Sequence, residues 1–246
     1  MALLAPLSTL FDRRPKLILV IACGLAAALG LQRIWSRPIN FQAGQTDNFW
    51  PIANHLLDGQ GYSLCYPLYF PFCAHGDATP TAMREPVPVL IYAAAAVLSG
   101  RSLLSAIHVQ VIMCVLIVLL TYRFTRAIAG VRAALLAALA WAIYLPAVEI
   151  ENQLSADLIG TCLLLCSANL MLRARARNTF GAWVLAGAVL GAAALSRSAL
   201  LLMALPWGLF ACWSAGKGLA LRNEWRNAVA VVAAMLLVMT PWAVRN

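Results

Sequence analysis

Charge is what this sequence has little of. Only 11% of its 246 residues are Asp, Glu, Lys or Arg, against about 25% in soluble domains. Acids are scarcest: nine, against eighteen Lys and Arg, for a net charge of +9. A chain so poor in charge and 63% apolar has too little polar surface to cover a soluble fold, and the same composition excludes disorder and a coiled coil. Seven cysteines in a chain of this length do not make a disulfide-framework mini-protein. The excess of positive charge would suggest nucleic acid in a soluble protein. Without the polar surface to present it, nucleic acid is not an expected partner. What remains is an all-α integral membrane protein whose solvent is the lipid bilayer.

A spanning helix needs about 20 mostly apolar residues. Seven segments qualify, at roughly 17–35, 103–122, 133–148, 155–172, 180–196, 199–215 and 227–244. An eighth apolar stretch, Val87 to Leu98, is too short to span and follows Pro86, so it is expected to be a half-buried or interfacial helix. The positive-inside rule tests this count. With a cytoplasmic N-terminus, one side holds Arg13, Arg14, Lys16, Arg123, Arg126, Arg132, Arg173, Arg175, Arg177, Lys217, Arg222 and Arg226, with only Asp12 and Glu224 as acids. The other side holds Arg33, Arg37, Arg84, Arg101, Arg197 and Arg245 with Asp47, Asp58, Asp77, Glu85, Glu149, Glu151 and Asp157. The excess charge is thus a topology, not a partner preference. The first segment reads as a signal anchor. Val20-Ile21-Ala22-Cys23 loosely fits a lipoprotein cleavage box, but about six apolar residues precede it where 7–15 are usual, and the apolar run continues past it.

The one long polar stretch, residues 36–102, is expected to be a large first extracytoplasmic loop, and long loops are usually functional. At 100° per residue Phe49, Ile52, Ala53, Leu56 and Leu57 share one face of a short amphipathic helix, with Asp47, Asn54, His55 and Asp58 opposite. Thr46, Asp47 and Asn48 are all candidate N-caps for it. Cys65 and Cys73 lie eight positions apart on the oxidising side, and a disulfide between them is expected. A zinc site on Cys65, Cys73 and His75 lacks a fourth ligand and the usual CxxC spacing. The other five cysteines fall in apolar segments as packing residues. Arg84 and Glu85 stand together before the apolar Pro86 stretch, either as a snorkelling and capping pair or as functional charges. Gly187 and Gly191 form a small-residue motif for close helix packing.

Several motifs occur in order. Asp47 is followed by Ala53, Leu57, Gly59, Gly61 and Tyr62. Arg84-Glu85-Pro86 precedes a short apolar helix ending Ser99-Gly100. Arg123 to Arg126 lead to Gly130 and Arg132. Gly187 to Gly191 lead to Ala194-Leu195-Ser196-Arg197, and the last is Pro241-Trp242-Ala243-Val244-Arg245-Asn246. On these residues the chain resembles the N-terminal half of the GT-C glycosyltransferases, membrane enzymes that use polyprenyl-phosphate sugars. Within them it is most similar to the bacterial protein-mannosyltransferase and aminoarabinose-transferase-like group. The resemblance implies sugar transfer from a polyprenyl-phosphate donor to a lipid, glycan or protein acceptor on the periplasmic face of the inner membrane. It implies Asp47 as the catalytic acid residue, used as a base, and Arg84, Glu85, Arg197 and Asp157 as substrate-site residues. Asp157 stands one position later than the family pattern. No cofactor is certain, though a divalent cation is used by some relatives. Family members are longer, so a variable C-terminal module is expected to be missing and a second polypeptide is one way of supplying its helices. Two other classes compete: a truncated, non-catalytic module of a split enzyme, and a small-solute transporter. The transporter predicts mid-membrane charges and an internal repeat, and neither is visible.

Overall fold

The computed structural model describes residues 13–36, 48–65, 78–144, 154–177, 179–213 and 224–246. Eight α-helices are seen in these residues: α1 (Pro15–Ser36), α2 (Phe49–Leu57), α3 (Pro86–Leu98), α4 (Leu103–Ala142), α5 (Ala156–Arg177), α6 (Phe180–Ala194), α7 (Ala204–Trp213) and α8 (Glu224–Arg245). A 3-10 segment, Ser198–Met203, leads into α7, and two short strands, β1 (Ser63–Leu64) and β2 (Thr79–Pro80), pair antiparallel with Ser63 opposite Pro80.

Helix α4 is 40 residues long but is not one rod. Gly130 sits at φ 83°, ψ 178°, a conformation open to glycine and strained for other residues. The chain turns back there. Val118 and Tyr122, before Gly130, share a core with Ala134, Leu135 and Ala138, after it, and with Ile18, Ala22 and Ala26 of α1. In a straight helix Val118 and Ala138 would stand about 30 Å apart. The apolar segments expected at 103–122 and 133–148 are therefore two limbs joined tightly at Gly130, with the second described to Tyr144.

Among the described residues, α1, α4, α5 and α8 are long and apolar enough to cross a membrane. The seven expected spans are thus only partly matched at full length. Helix α6 has 15 residues, about 22 Å against a hydrocarbon core of about 30 Å. The segment expected at 199–215 divides into the 3-10 turn and the 10-residue α7. Helix α3 is the short helix anticipated at 87–98, with Pro86 at its first position, where the missing N–H costs nothing.

The helices pack in sequence: α1 on α4, α4 on α5, α5 on α6, and α8 on both α6 and α7. The α6–α8 contact is the closest. A Cβ placed on Gly187 would lie 2.2 Å from the Val231 carbonyl oxygen, and one on Gly191 would lie 2.7 Å from that of Met235. The small-residue motif therefore acts as its spacing suggests.

A separate core forms where the loop meets the bundle. Phe49, Ile52 and Ala53 of α2, which the helical periodicity put on one face, are buried with Leu64, Val89, Tyr92, Ile107 and Leu154. One polar network crosses it. Gln110 Nε2 donates to the Tyr92 hydroxyl oxygen at 2.7 Å, and the Tyr92 O–H donates to the Ser155 carbonyl at 2.9 Å. This ties α3 and α4 to the start of α5. A buried network that is paired in this way fixes relative position more than it adds net stability.

Candidate active site

The start of α5, the end of α6 and the loop before α3 converge. A cavity of about 460 Å³ opens between them, with Phe49, Arg84, Glu85, Ser155, Asp157, Arg197 and Ser198 on its wall. Four residues singled out from sequence (Arg84, Glu85, Asp157 and Arg197) are brought together here from three separate parts of the chain.

Each is held by local chemistry. Ser155 precedes α5, and its hydroxyl accepts the Asp157 N–H at 3.1 Å, as a helix-capping serine does. The same hydroxyl donates to Asp157 Oδ2 at 3.1 Å. Asp157 Oδ1 is paired with the Arg197 guanidinium. Arg197 stands just past α6, where the Leu195, Ser196 and Arg197 amides still bond back to Gly191 and Ala193 carbonyls. The Arg197 and Asp157 side chains keep 52% and 38% of their surface exposed, so the pair adds at most about 1 kcal/mol to stability.

Glu85 occupies the N-cap position of α3 but makes no side-chain cap. Its Oε1 instead accepts the Ser198 N–H at 3.4 Å, while the Val87 N–H donates to the Leu195 carbonyl at 3.2 Å. The capping alternative for Glu85 is thus replaced by a link to the residue after Arg197. Arg84 lies with its guanidinium carbon 5.6 Å from the centroid of the Phe49 ring, a cation–π contact.

Two residues that sequence reasoning did not assign hold this arrangement from behind. The Tyr62 O–H is shared between the Arg84 carbonyl at 2.9 Å and the Glu85 carbonyl at 3.2 Å. Burial raises the Tyr62 pKa well above the ordinary phenol range, with the Glu85 carboxylate adding to the shift. Arg245, in the last turn of α8, donates to the Thr81 carbonyl at 3.0 Å and the Tyr62 carbonyl at 2.9 Å. Its guanidinium also covers the rings of Tyr62 and Trp242, which meet edge to face at 4.9 Å. Tyr62 and Arg245 both stand in the ordered motifs of the sequence. That was the available signal, but their role depends on a contact across about 180 residues.

Asp47 lies outside the described residues. Its neighbour Asn48 takes the N-cap position of α2, left-handed at φ 64°, without a side-chain cap bond, and Phe49 lines the cavity. The capping position is therefore not that of Asp47. Cys73 and His75 also lie outside the described residues, as do Glu149 and Glu151, so the Cys65–Cys73 pairing has only its Cys65 half in view. His55 accounts for itself structurally: its Nδ1 lies 3.1 Å from the Ser63 carbonyl, joining α2 to β1. Among the described residues no three His, Cys, Asp or Glu side chains converge as metal ligands. Asp157 is already paired with Arg197, so the described residues do not form a metal site by themselves.

The profile of a family described as dolichyl-phosphate-mannose-protein mannosyltransferase matches residues 80–244. No curated protein matches the chain. Among solved structures, the fold is similar to a crystal structure of the Archaeoglobus fulgidus oligosaccharyltransferase, tethered through a disulfide bond to an acceptor peptide containing the NVT sequon. The TM-score is 0.73 at 21% identity, covering 96% of this chain and 31% of that one. The chain therefore spans about a third of the length of the structure it matches, and the likeness is one of fold.

Proposed function

Because the chain belongs to the dolichyl-phosphate-mannose-protein mannosyltransferase family, within the GT-C glycosyltransferases, we propose that it supplies the active-site module of a membrane glycosyltransferase. The donor would be a polyprenyl-phosphate sugar and the acceptor a lipid, glycan or protein. The observation that carries this is the cavity that brings Arg84 and Arg197 together beside Glu85 and Asp157.

The chemistry explains the residue types. An acceptor hydroxyl oxygen attacks the anomeric carbon, and its proton passes to a carboxylate, the role proposed for Asp47. The bond from the anomeric carbon to the phosphate oxygen breaks, and its electron pair leaves with the lipid phosphate. The transition state puts positive charge on the sugar and negative charge on the leaving phosphate. Guanidinium groups held in place before the reaction stabilise the second of these. Arg197 is suited to this because its present partner, Asp157, holds it weakly and can yield to a phosphate. Glu85, whose carboxylate accepts the Ser198 N–H, lines the same cavity as the two arginines. We further propose that this end of the bundle faces the periplasm of a bacterial inner membrane, with the N-terminus cytoplasmic. The acids Asp58, Glu85 and Asp157 stand at this end, and Arg175, Arg177 and Arg226 stand at the other, where Glu224 is the acid among the described residues. Chelation tests the use of a divalent cation, and co-purification tests for a second polypeptide.

The deciding experiment follows a labelled sugar from a polyprenyl-phosphate donor into membrane acceptors. Arg197→Gln and Asp47→Asn should each abolish most transfer while the protein still accumulates in the membrane. Normal transfer by Asp47→Asn would remove Asp47 from the mechanism, and normal transfer by both would overturn the reading.

A further inference from the structure

The opposite end of the bundle has an opening of different character. An apolar groove of about 300 Å³ runs between Phe124 and Ile128 of α4, Met171 and Leu172 of α5, and Trp207 and Phe210 of α7. These positions are three or four apart on α4 and α7, so each helix turns one face to the groove. The groove begins just beyond the point where Asn169 Nδ2 donates to the Leu120 carbonyl at 3.1 Å and joins α4 to α5. Its walls offer no free hydrogen bond to water. The Trp207 indole N–H is engaged by the Ser167 hydroxyl at 2.9 Å, and that hydroxyl donates to the Ala186 carbonyl at 2.8 Å. Such a space stays dry and takes an apolar occupant.

The mouth carries a cation. Arg175 is exposed, and its guanidinium carbon lies 5.5 Å from the centroid of the Phe210 ring on the groove wall. It follows Leu172 and Met171 by three and four residues, on the same helix face. From Ala168, also on the wall, to Arg175 is about 10 Å along α5, about a third of the bilayer's hydrocarbon thickness. Among the described residues the acids Asp58, Glu85 and Asp157 stand at the far end of the bundle, and Glu224, the first residue of α8, is the acid at this end.

We propose that this groove holds an acyl chain of an anionic phospholipid, with the lipid phosphate against Arg175. An apolar slot ending in a guanidinium matches both parts of such a molecule: tail in the slot, phosphate on a fork of donors. A zwitterionic lipid fills the slot equally well but gains less from the cation. This site is independent of the transfer reaction.

The test uses the chain in nanodiscs of phosphatidylcholine and phosphatidylglycerol, with bromine on the acyl chains of one lipid at a time. Quenching of Trp207 is read as the difference between the parent protein and Trp207→Phe. Brominated phosphatidylglycerol should quench this component with about fivefold greater apparent affinity than brominated phosphatidylcholine. Arg175→Gln should abolish the preference and Arg175→Lys should keep part of it. Retention of phosphatidylglycerol in native mass spectra of the parent protein gives a readout that needs no variant. Equal quenching by the two lipids, or a preference unchanged in Arg175→Gln, overturns the proposal. So does absence of quenching by either, which would mean that polypeptide fills the groove.

Discussion

The Arg245 guanidinium carbon lies 5.1 Å from the centroid of the Tyr62 ring while its two terminal nitrogens hold the Tyr62 and Thr81 carbonyls. The end of α8 thus grips the hairpin that carries the Arg84-Glu85 segment. Tyr62 passes this on, since its hydroxyl holds the Arg84 and Glu85 carbonyls. Arg245 is a positioning residue two contacts from the cavity. Arg245→Gln should lower sugar transfer about tenfold or more, with protein level in the membrane largely kept, because one hydrogen bond to a charged group is worth about 1.5–3 kcal/mol. Arg245→Lys should recover only part, since an ammonium lacks the planar fork that reaches two carbonyls at once. Equal transfer by parent and Arg245→Gln would show that the grip is not needed.

Tyr62 gives a pH dependence. Its folded-state pKa is raised above the ordinary phenol value, first by burial and then by Glu85. A raised pKa means that the folded state holds a proton the unfolded state has released. The resulting stability is present below about pH 10, the unfolded tyrosine value, and is lost as pH climbs from there toward the folded pKa. Ultraviolet titration should therefore show a phenol in the parent, missing from Tyr62→Phe, that ionises only above the range of exposed tyrosines. Thermal stability of the parent should fall more steeply than that of Tyr62→Phe above pH 10. Identical titration curves would place Tyr62 in water.

The Asp157–Arg197 pair separates stability from function. Half-exposed side chains give a coupling energy below about 1 kcal/mol, so Asp157→Asn and Arg197→Gln should each shift the melting temperature little. Their effects on transfer should differ. Arg197→Gln removes the proposed phosphate ligand and should cut kcat/KM severely. Asp157→Asn leaves Arg197 without its carboxylate partner and should mainly alter donor KM. Large, equal losses of stability in both variants would make the pair structural instead.

How far the sequence went can be traced through particular residues. Helix α2 was legible because Phe49, Ile52 and Ala53 repeat at helical spacing and only burial of that face satisfies them. Arg84, Glu85, Asp157 and Arg197 were visible as charges in a chain with few. Their convergence was not, because it depends on the α5–α6 pairing and on how the hairpin packs. The division of the 199–215 segment into a 3-10 turn and α7 was hidden as well. Hydropathy counts apolar residues but does not register how Ser198–Met203 winds. In the sequence Gly130 stands out only as part of a motif, because its role as the turn between two limbs of α4 depends on residues from both limbs sharing one core.

The α6–α8 contact yields the sharpest test of the fold. Helix-interior glycine normally costs about 0.5–1 kcal/mol relative to alanine, so replacing it should stabilise where space allows. Gly181, in the first turn of α6, has nothing within 4 Å of where a Cβ would stand, whereas at Gly187 that atom would meet the Val231 carbonyl oxygen at 2.2 Å and the Val231 carbonyl carbon at 2.8 Å. These are backbone atoms of α8 and cannot rotate away. Gly187→Ala must push the helices apart and open their shared core, which holds Trp183, Ala186 and Val231. A loss of about 1–3 kcal/mol is expected from overpacking of this kind. Gly181→Ala should be neutral or stabilising. Melting curves of the two variants in one detergent check this directly, and a Gly187→Ala protein as stable as its parent would mean that α6 and α8 do not approach this closely. Because α8 carries Arg245 at its far end and α6 leads into Arg197, the same variant should also weaken sugar transfer beyond what its stability loss explains.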